Sequence, residues 1–184
     1  MTVEDSALIE RFCRAGDMNA AAELLRRYER ALYNYLWQML RHREDTEDAL
    51  QESFAKALRA LPRYQERNYF KSWLFRIAHN EGLNVIRRRK RESKAGKTSL
   101  KTDDDAMEAS TEPDIIERAE RAAALHRAID QLPEKERQVV VMRLQSDLPF
   151  REIANVVNAP LGTVLARMHN ARKKLKAILQ PQLT

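Results

Sequence analysis

The sequence contains a single cysteine, Cys13. One cysteine cannot form an internal disulfide or a cysteine-based zinc site, and this scarcity fits a reducing compartment. Because Cys13 lies in the apolar segment LIERFCRA, we expect it to be a small hydrophobic residue of the core. The fold is therefore expected to depend on packing alone.

Glycine is also scarce, with four residues in a chain of 184. Tight turns between strands should be few, whereas 43% apolar and 33% charged residues suit amphipathic helices. We expect an all-α protein.

Long apolar runs are absent from the sequence. No segment approaches the roughly 20 residues that span a bilayer, and MTVEDSALIERF lacks the apolar stretch of a secretory signal. We expect a cytoplasmic protein without membrane insertion.

Positive charge dominates, with a formal net charge of +6. Residues 1–92 and 116–184 are both basic, whereas residues 93–115 carry 3 basic and 6 acidic side chains. Two basic blocks around an acidic spacer favour a polyanionic partner.

The first block has three segments with helical periodicity. They are residues 19–40, residues 44–61 before Pro62, and residues 69–91. Residues 93–114 contain few large apolar side chains, so we predict a flexible acidic linker there. The predicted units are a domain at 1–92 and a second helical domain at 115–184.

The second domain ends with the layout of a helix-turn-helix, FREIANVV, NAPLG and TVLARMHNARKKLKAIL. Asn158 suits the left-handed turn position, and Thr163 can cap the second helix. An ordinary helical hairpin is the alternative.

The exposed side of that second helix contains candidate DNA contacts. Asn170 could pair with adenine and Leu165 with a thymine methyl, while His169 could equally be a solvated imidazole. The full set for duplex DNA is Thr163, Leu165, Ala166, Arg167, His169, Asn170, Arg172 and Lys173.

The segment YFKSWLFRIAHNEGLNVIRRRKR has two distinct helical faces. Phe75, Ala78, Gly82 and Ile86 form an apolar face, and the other face carries Trp73, Ile77, Asn80, Asn84, Arg87, Arg88 and Arg91. Cations suit a nucleic-acid backbone, carboxamides suit base edges, and Tyr64, Tyr69 and Trp73 can stack on bases. This face therefore indicates a surface for unstacked bases, although an aromatic core with a polar surface is the alternative.

Three motifs together resemble bacterial RNA polymerase sigma factors of the extracytoplasmic-function (ECF) group. They are DTEDALQESFAKALRAL, FKSWLFRIAHNEGLNVIRRRKR, and LPEKERQVVVMRL followed by the helix-turn-helix. The resemblance implies an alternative sigma factor with no catalytic activity and no cofactor or metal, acting in a stress or envelope response. Its implied partners are core RNA polymerase, through the β′ clamp coiled coil and the β flap, promoter DNA and an anti-sigma factor.

The resemblance also implies roles for individual residues. The polymerase-docking set is Asp45, Asp48, Gln51 and Glu52. The set that opens and reads the minus-ten element is Lys56, Arg59, Tyr64, Trp73, Arg76, Asn80, Asn84, Arg87 and Arg88. The helix-turn-helix would read the minus-thirty-five element, but Leu165 and Asn170 stand where many relatives carry basic residues, so no upstream sequence can be assigned.

Two other functions fit parts of the sequence. An autonomous helix-turn-helix regulator would bind an operator without polymerase, usually as a dimer, and no spare apolar face for a dimer is evident. A metalloenzyme could use the acidic EDTED segment with His42, but these carboxylates point around a helix and do not converge.

Overall fold

The computed structural model describes residues 3–65, 69–94 and 113–180. In these ranges the regular elements are helical, which confirms the all-α prediction. The helices are α1 (Val3–Ala15), α2 (Met18–Leu40), α3 (Arg43–Ala60), α4 (Phe70–Lys94), α5 (Pro113–Asp130), α6 (Glu134–Ser146), α7 (Phe150–Val156) and α8 (Leu161–Leu179), and a 3₁₀ turn at Leu61–Arg63 follows α3.

Both ends of the predicted linker, residues 93–114, belong to helices in the structure. α4 continues through Lys94, and α5 begins at Pro113, where a proline has no helical hydrogen bond to lose. Residues 95–112 of the predicted linker lie outside the described residues. Two helical groups, α1–α4 and α5–α8, therefore flank this segment.

The first group is built around the crossing of α2 and α4. Leu36 of α2 and Phe75 of α4 are both fully buried in its core. At the crossing, a Cβ on Gly82 would lie 2.8 Å from Cε of Met39, which is too close for an undisturbed contact. The missing side chain of Gly82 thus lets the two helices approach closely.

The second group contains the predicted helix-turn-helix, formed by α7 and α8. Ile153 and Val164 are fully buried between them, and Asn158 takes the predicted left-handed conformation with a φ of 49°. The prediction that Thr163 caps α8 is wrong, because the helix already begins at Leu161 after Pro160. The φ of Pro160, −56°, is compatible with capping the helix three residues earlier.

Cys13 is exposed, so the prediction of a core cysteine is wrong. Leu8 and Ile9 of the same segment are buried, and Cys13 lies four helical positions beyond Ile9 at the rim of the packed face. Its Sγ atom lies 3.5 Å from the carbonyl oxygen of Leu61.

The two helical groups pack against each other, α2 on α6 and α4 on α7. The amide of Asn34 donates to Oε1 of Gln145 at 3.3 Å, and Arg41 forms an ion pair with Asp130. The helix-turn-helix thus lies directly beside the helix that carries the predicted minus-ten surface.

Within the described residues, none of the helices combines the length and the apolar character needed to cross a bilayer.

Candidate nucleic-acid interface

The two predicted faces of α4 are present in the structure. Phe75, Ala78 and Gly82 are buried, whereas Asn80 and Asn84 are exposed. The cations further along the stripe, Arg87, Arg88 and Arg91, are exposed as well. A polar, cationic strip therefore runs along the outside of α4, on the opposite side from its core contacts.

Aromatic side chains lie at the start of this strip. The ring centroids of Tyr64 and Trp73 are 4.9 Å apart, and the Trp73 ring also packs on Phe70 at 5.6 Å. Tyr69 remains 54% exposed. The rings of Trp73 and Tyr64 are therefore partly packed in the core and partly exposed. The ring of Tyr69 has an exposed face that is available for stacking.

A chain of polar contacts joins α3 to α4 across this surface. The ammonium of Lys56 lies 2.7 Å from the carboxylate of Glu81, and the Asn84 amide donates to the same carboxylate at 3.4 Å. Arg87 in turn donates to Oδ1 of Asn84 at 3.2 Å. Three residues of the predicted minus-ten set thus belong to one network, centred on Glu81.

The predicted docking residues divide into two groups. Asp48 and Gln51 are exposed on the outer face of α3, and Glu52 is also exposed but pairs with Arg59 at 3.1 Å. Asp45 has a side chain only 15% exposed and accepts hydrogen bonds from Arg88 at 2.7 Å and Arg89 at 2.6 Å. In this conformation Asp45 and Arg88 are bound to each other.

Arg76 lies at the boundary between the two helical groups. It faces Asn155, Asn158 and Pro160 of the helix-turn-helix across a gap of about 380 Å³. Part of the predicted minus-ten surface is thus approached by the other half of the chain.

The predicted reading face of α8 is open to solvent. Leu165, Ala166, His169, Asn170, Arg172 and Lys173 are exposed, and Thr163 and Arg167 are partly exposed. Beneath them, Val164 and Ala171 are fully buried and fix the rotation of the helix.

A buried polar pair lies in the core beneath the polar, cationic strip of α4. The hydroxyl of Tyr35 lies 2.7 Å from Nδ1 of His79, which directly precedes Asn80. Burial, assisted by the positive charge of Arg87, lowers the pKa of His79 to about 4, and burial raises the pKa of Tyr35. Both side chains are therefore neutral near pH 7.

The acidic segment at the start of α3 is engaged in local contacts. Nδ1 of His42 accepts from the backbone amide of Asp45 at 3.4 Å, and Glu47 pairs with Arg43 at 2.9 Å. Over the described ranges, no cluster of three or more His, Cys, Asp or Glu side chains could hold a metal ion.

Two family patterns match the chain. Sigma-70 region 2 matches residues 24–92, and Sigma-70 region 4 matches residues 122–175. The chain is also 32% identical to the RNA polymerase sigma-H factor of Pseudomonas aeruginosa, over 98% of this chain and 96% of the relative. The ECF RNA polymerase sigma-E factor of Escherichia coli K12 is 30% identical, over 96% and 95%.

The chain belongs to the ECF sigma factors. It is an alternative sigma factor, which confirms the family resemblance. The fold of this sigma factor is also similar to a sigma factor from Bartonella quintana solved with the anti-sigma factor NepR, with a TM-score of 0.74 and 20% identity over 86% of this chain and 96% of that one.

Sequence reasoning missed Glu81 and Arg89 of this sigma factor. Glu81 lies one residue after Asn80 and three before Asn84, and an acid at that point of a cationic stripe was the available signal. Arg89 donates to the carbonyl oxygen of Leu40 at 2.7 Å as well as to Asp45, which ties the end of α2 to α3 and α4. No sequence pattern indicated that connection.

Proposed function

We propose that this sigma factor uses α3 and α4 as one composite surface. The outer face of α3, with Asp48 and Gln51, docks on the β′ clamp coiled coil of core RNA polymerase. The adjoining strip of α4, with Asn80 and Asn84, captures the bases of the opened minus-ten element. The observation that carries the proposal is this placement of an acidic, polar face beside a cationic, carboxamide-rich strip on two packed helices.

The chemistry of the strip suits separated DNA strands. Unstacking a base costs a few kcal/mol, which stacking, hydrogen bonds and phosphate contacts must offset. Tyr69 supplies an exposed ring, Asn80 an exposed carboxamide, and Arg87 a guanidinium. The strip thus provides each kind of contact.

The second helical group reads the minus-thirty-five element with α8 and docks on the β flap. The two promoter elements are separated by about 25 base pairs, or roughly 85 Å of duplex. Because α7 packs on α4, the two groups must separate before both elements are bound.

An anti-sigma factor is the second proposed partner. The similar Bartonella quintana protein is a sigma factor in complex with an anti-sigma factor. A partner that holds α4 against α7 would prevent the two helical groups from binding both promoter elements at the same time. The protein then acts in the cytoplasm, with polymerase and promoter DNA, and has no catalytic activity of its own.

Run-off transcription with core polymerase on a genomic fragment library tests the proposal. Asn80→Ala should reduce promoter opening about tenfold, the effect of losing one good base contact. Core binding should be unchanged, because Asn80 lies on α4 away from the docking face. Asn19→Ala, at the exposed start of α2, is the matched control. Equal loss of opening and core binding in Asn80→Ala would refute the division of roles.

A further inference from the structure

Glu81 is an acidic residue on the strip of α4 that carries Asn80, Asn84 and Arg87. Its side chain is 12% exposed, and its Oε1 atom accepts from Lys56 at 2.7 Å. The same oxygen accepts from Nδ2 of Asn84 at 3.4 Å. A carboxylate in this position would repel DNA phosphates unless its charge were balanced, and Lys56 balances it.

The first consequence concerns the charge of Lys56. The hydrogen bond that Lys56 donates to Glu81 raises the pKa of the Lys56 ammonium, so Lys56 keeps its positive charge beside the carboxylate. Lys56 therefore does not act as a free cation toward the backbone. Its side chain is still 41% exposed, and an ammonium has three donors, so it can donate to a base while bound to Glu81.

The second consequence concerns the orientation of Asn84. Its Nδ2 atom donates to Glu81, and its Oδ1 atom accepts from Arg87 at 3.2 Å. The Glu81 carboxylate only accepts hydrogen bonds and the Arg87 guanidinium only donates them. The amide nitrogen of Asn84 must therefore face Glu81, and its oxygen must face Arg87. A carboxamide of fixed orientation presents a defined donor and acceptor edge, which is what discriminates one base from another.

We propose that Glu81 is the positioning residue that sets the base preference of the α3–α4 surface, by fixing the Asn84 carboxamide and withdrawing the Lys56 charge from the backbone. This inference rests on the proposed function of that surface in binding the minus-ten element. The competing explanation is that the Lys56–Glu81 pair only joins α3 to α4.

The chain offers a matched control for that explanation. Glu136 and Lys174 form an ion pair of 2.8 Å between α6 and α8, with side chains 14% and 46% exposed. This pair joins two helices as the Lys56–Glu81 pair does, with nearly the same length and exposure. Glu136→Ala therefore measures what the loss of an interhelical pair does by itself.

The experiment measures binding of the reconstituted holoenzyme to promoter fragments with a preformed bubble, in which each minus-ten position carries each of the four bases. The fragments lack a minus-thirty-five element, so α8 does not contribute. Binding is measured from low to high salt for the wild type, Glu81→Ala, Glu81→Gln and Glu136→Ala. Core binding and helical content are measured on the same preparations.

In Glu81→Ala, discrimination between the best and the worst base should fall at least about fivefold at one position, because an oriented base contact is worth that much or more. Lys56 keeps its 3.6 Å contact with Glu52 of α3 in this variant, so the slope of log affinity against log salt should steepen by up to about 0.7, the value for one more phosphate of a single strand. Glu81→Gln should recover the base preference, because its amide oxygen accepts from Asn84, but keep the steeper slope.

Base preference and salt slope that are unchanged in Glu81→Ala, or changed as much in Glu136→Ala, would overturn the inference. If Glu81→Ala loses helical content, the slope of Glu81→Gln decides, and an unaltered slope overturns the inference. A wild-type holoenzyme without any base preference on the bubble would instead refute the proposed function.

Discussion

The α3–α4 surface and the reading face of α8 are organised in different ways. The first is a network in which Lys56, Asn84 and Arg87 are connected through Glu81 and through each other. On the second, and within the described part of the chain, the side chains from Thr163 to Lys173 make no hydrogen bond or ion pair to other side chains. Hydrogen bonds orient the side chains of the network, whereas the α8 side chains are placed only by the packing of their helix.

This difference matches the substrates proposed for the two surfaces. Separated strands are flexible, so the protein must supply the order, and a preorganised surface lowers the entropy cost of capture. A duplex groove is already ordered and accepts a helix whose side chains adapt to it. The predictions below test the difference, from the largest expected effect to the smallest.

Removing the packing under α8 should have the largest effect. Ile153 is fully buried between α7 and α8, so Ile153→Ala should lower the free energy of unfolding by about 2–5 kcal/mol. Leu144→Ala, which truncates a side chain 55% exposed, is the control and should change it little. Denaturant unfolding followed by circular dichroism checks both, and equal effects would show that the α8 face does not depend on that core.

The free energy of unfolding should depend on pH through His79, which is buried beneath the α3–α4 surface. Its folded pKa of about 4 lies below the ordinary 6.5, so the unfolded chain binds the proton more readily. Stability from the neutral imidazole is complete above pH 6.5 and is lost as the pH falls from there toward 4, by about 2 kcal/mol at pH 5. His79→Gln should remove this part of the pH dependence.

Asn19→Ala, an exposed substitution that removes no titratable group, is the control for that titration. It should follow the wild-type curve of unfolding free energy against pH between 7 and 5. Parallel curves for His79→Gln and the wild type would show that the buried imidazole does not weaken the fold on protonation.

Single substitutions on the α8 face should act independently of their neighbours. Asn170→Arg replaces an exposed carboxamide with a side chain suited to guanine, and should shift the preferred base at one upstream position by about 1–3 kcal/mol. Selection from a randomised upstream element with holoenzyme measures the shift. An unchanged preference would remove Asn170 from the reading set.

Sequence reasoning predicted which side chains are exposed better than it predicted which side chains contact each other. Periodicity identified the buried Phe75 and the exposed Asn80, because one helix face is reported by residue spacing alone. Arg88, which pairs with Asp45, and Glu81, which pairs with Lys56, each lie more than 20 residues from their partner in the chain, and no local pattern encodes such contacts. The packing of α7 on α4 could not be predicted either, since it brings together helices that are far apart in the sequence.

The exposure of Cys13 and the start of α8 show how far prediction from sequence is limited even within a single helix. An apolar neighbourhood placed Cys13 in the core, but one helical position decides whether a side chain faces the core or its rim. Thr163 has good capping chemistry, yet a proline three residues earlier started the helix first. Both errors are shifts within one turn, and helix ends are the least determined part of a sequence pattern.

Double-mutant cycles on two residue pairs of equal spacing compare the surfaces directly. Asn84 and Arg87 are three residues apart and hydrogen-bonded at 3.2 Å, whereas Asn170 and Lys173 have the same spacing and no such contact. In holoenzyme binding to a full promoter, truncation of the first pair to alanine should be non-additive by about 0.5–1 kcal/mol, because losing either partner releases the other. The second pair should be additive within about 0.5 kcal/mol. Equal coupling in both pairs would mean that DNA itself couples neighbouring side chains, and the preorganisation of the α3–α4 surface would then have no energetic consequence.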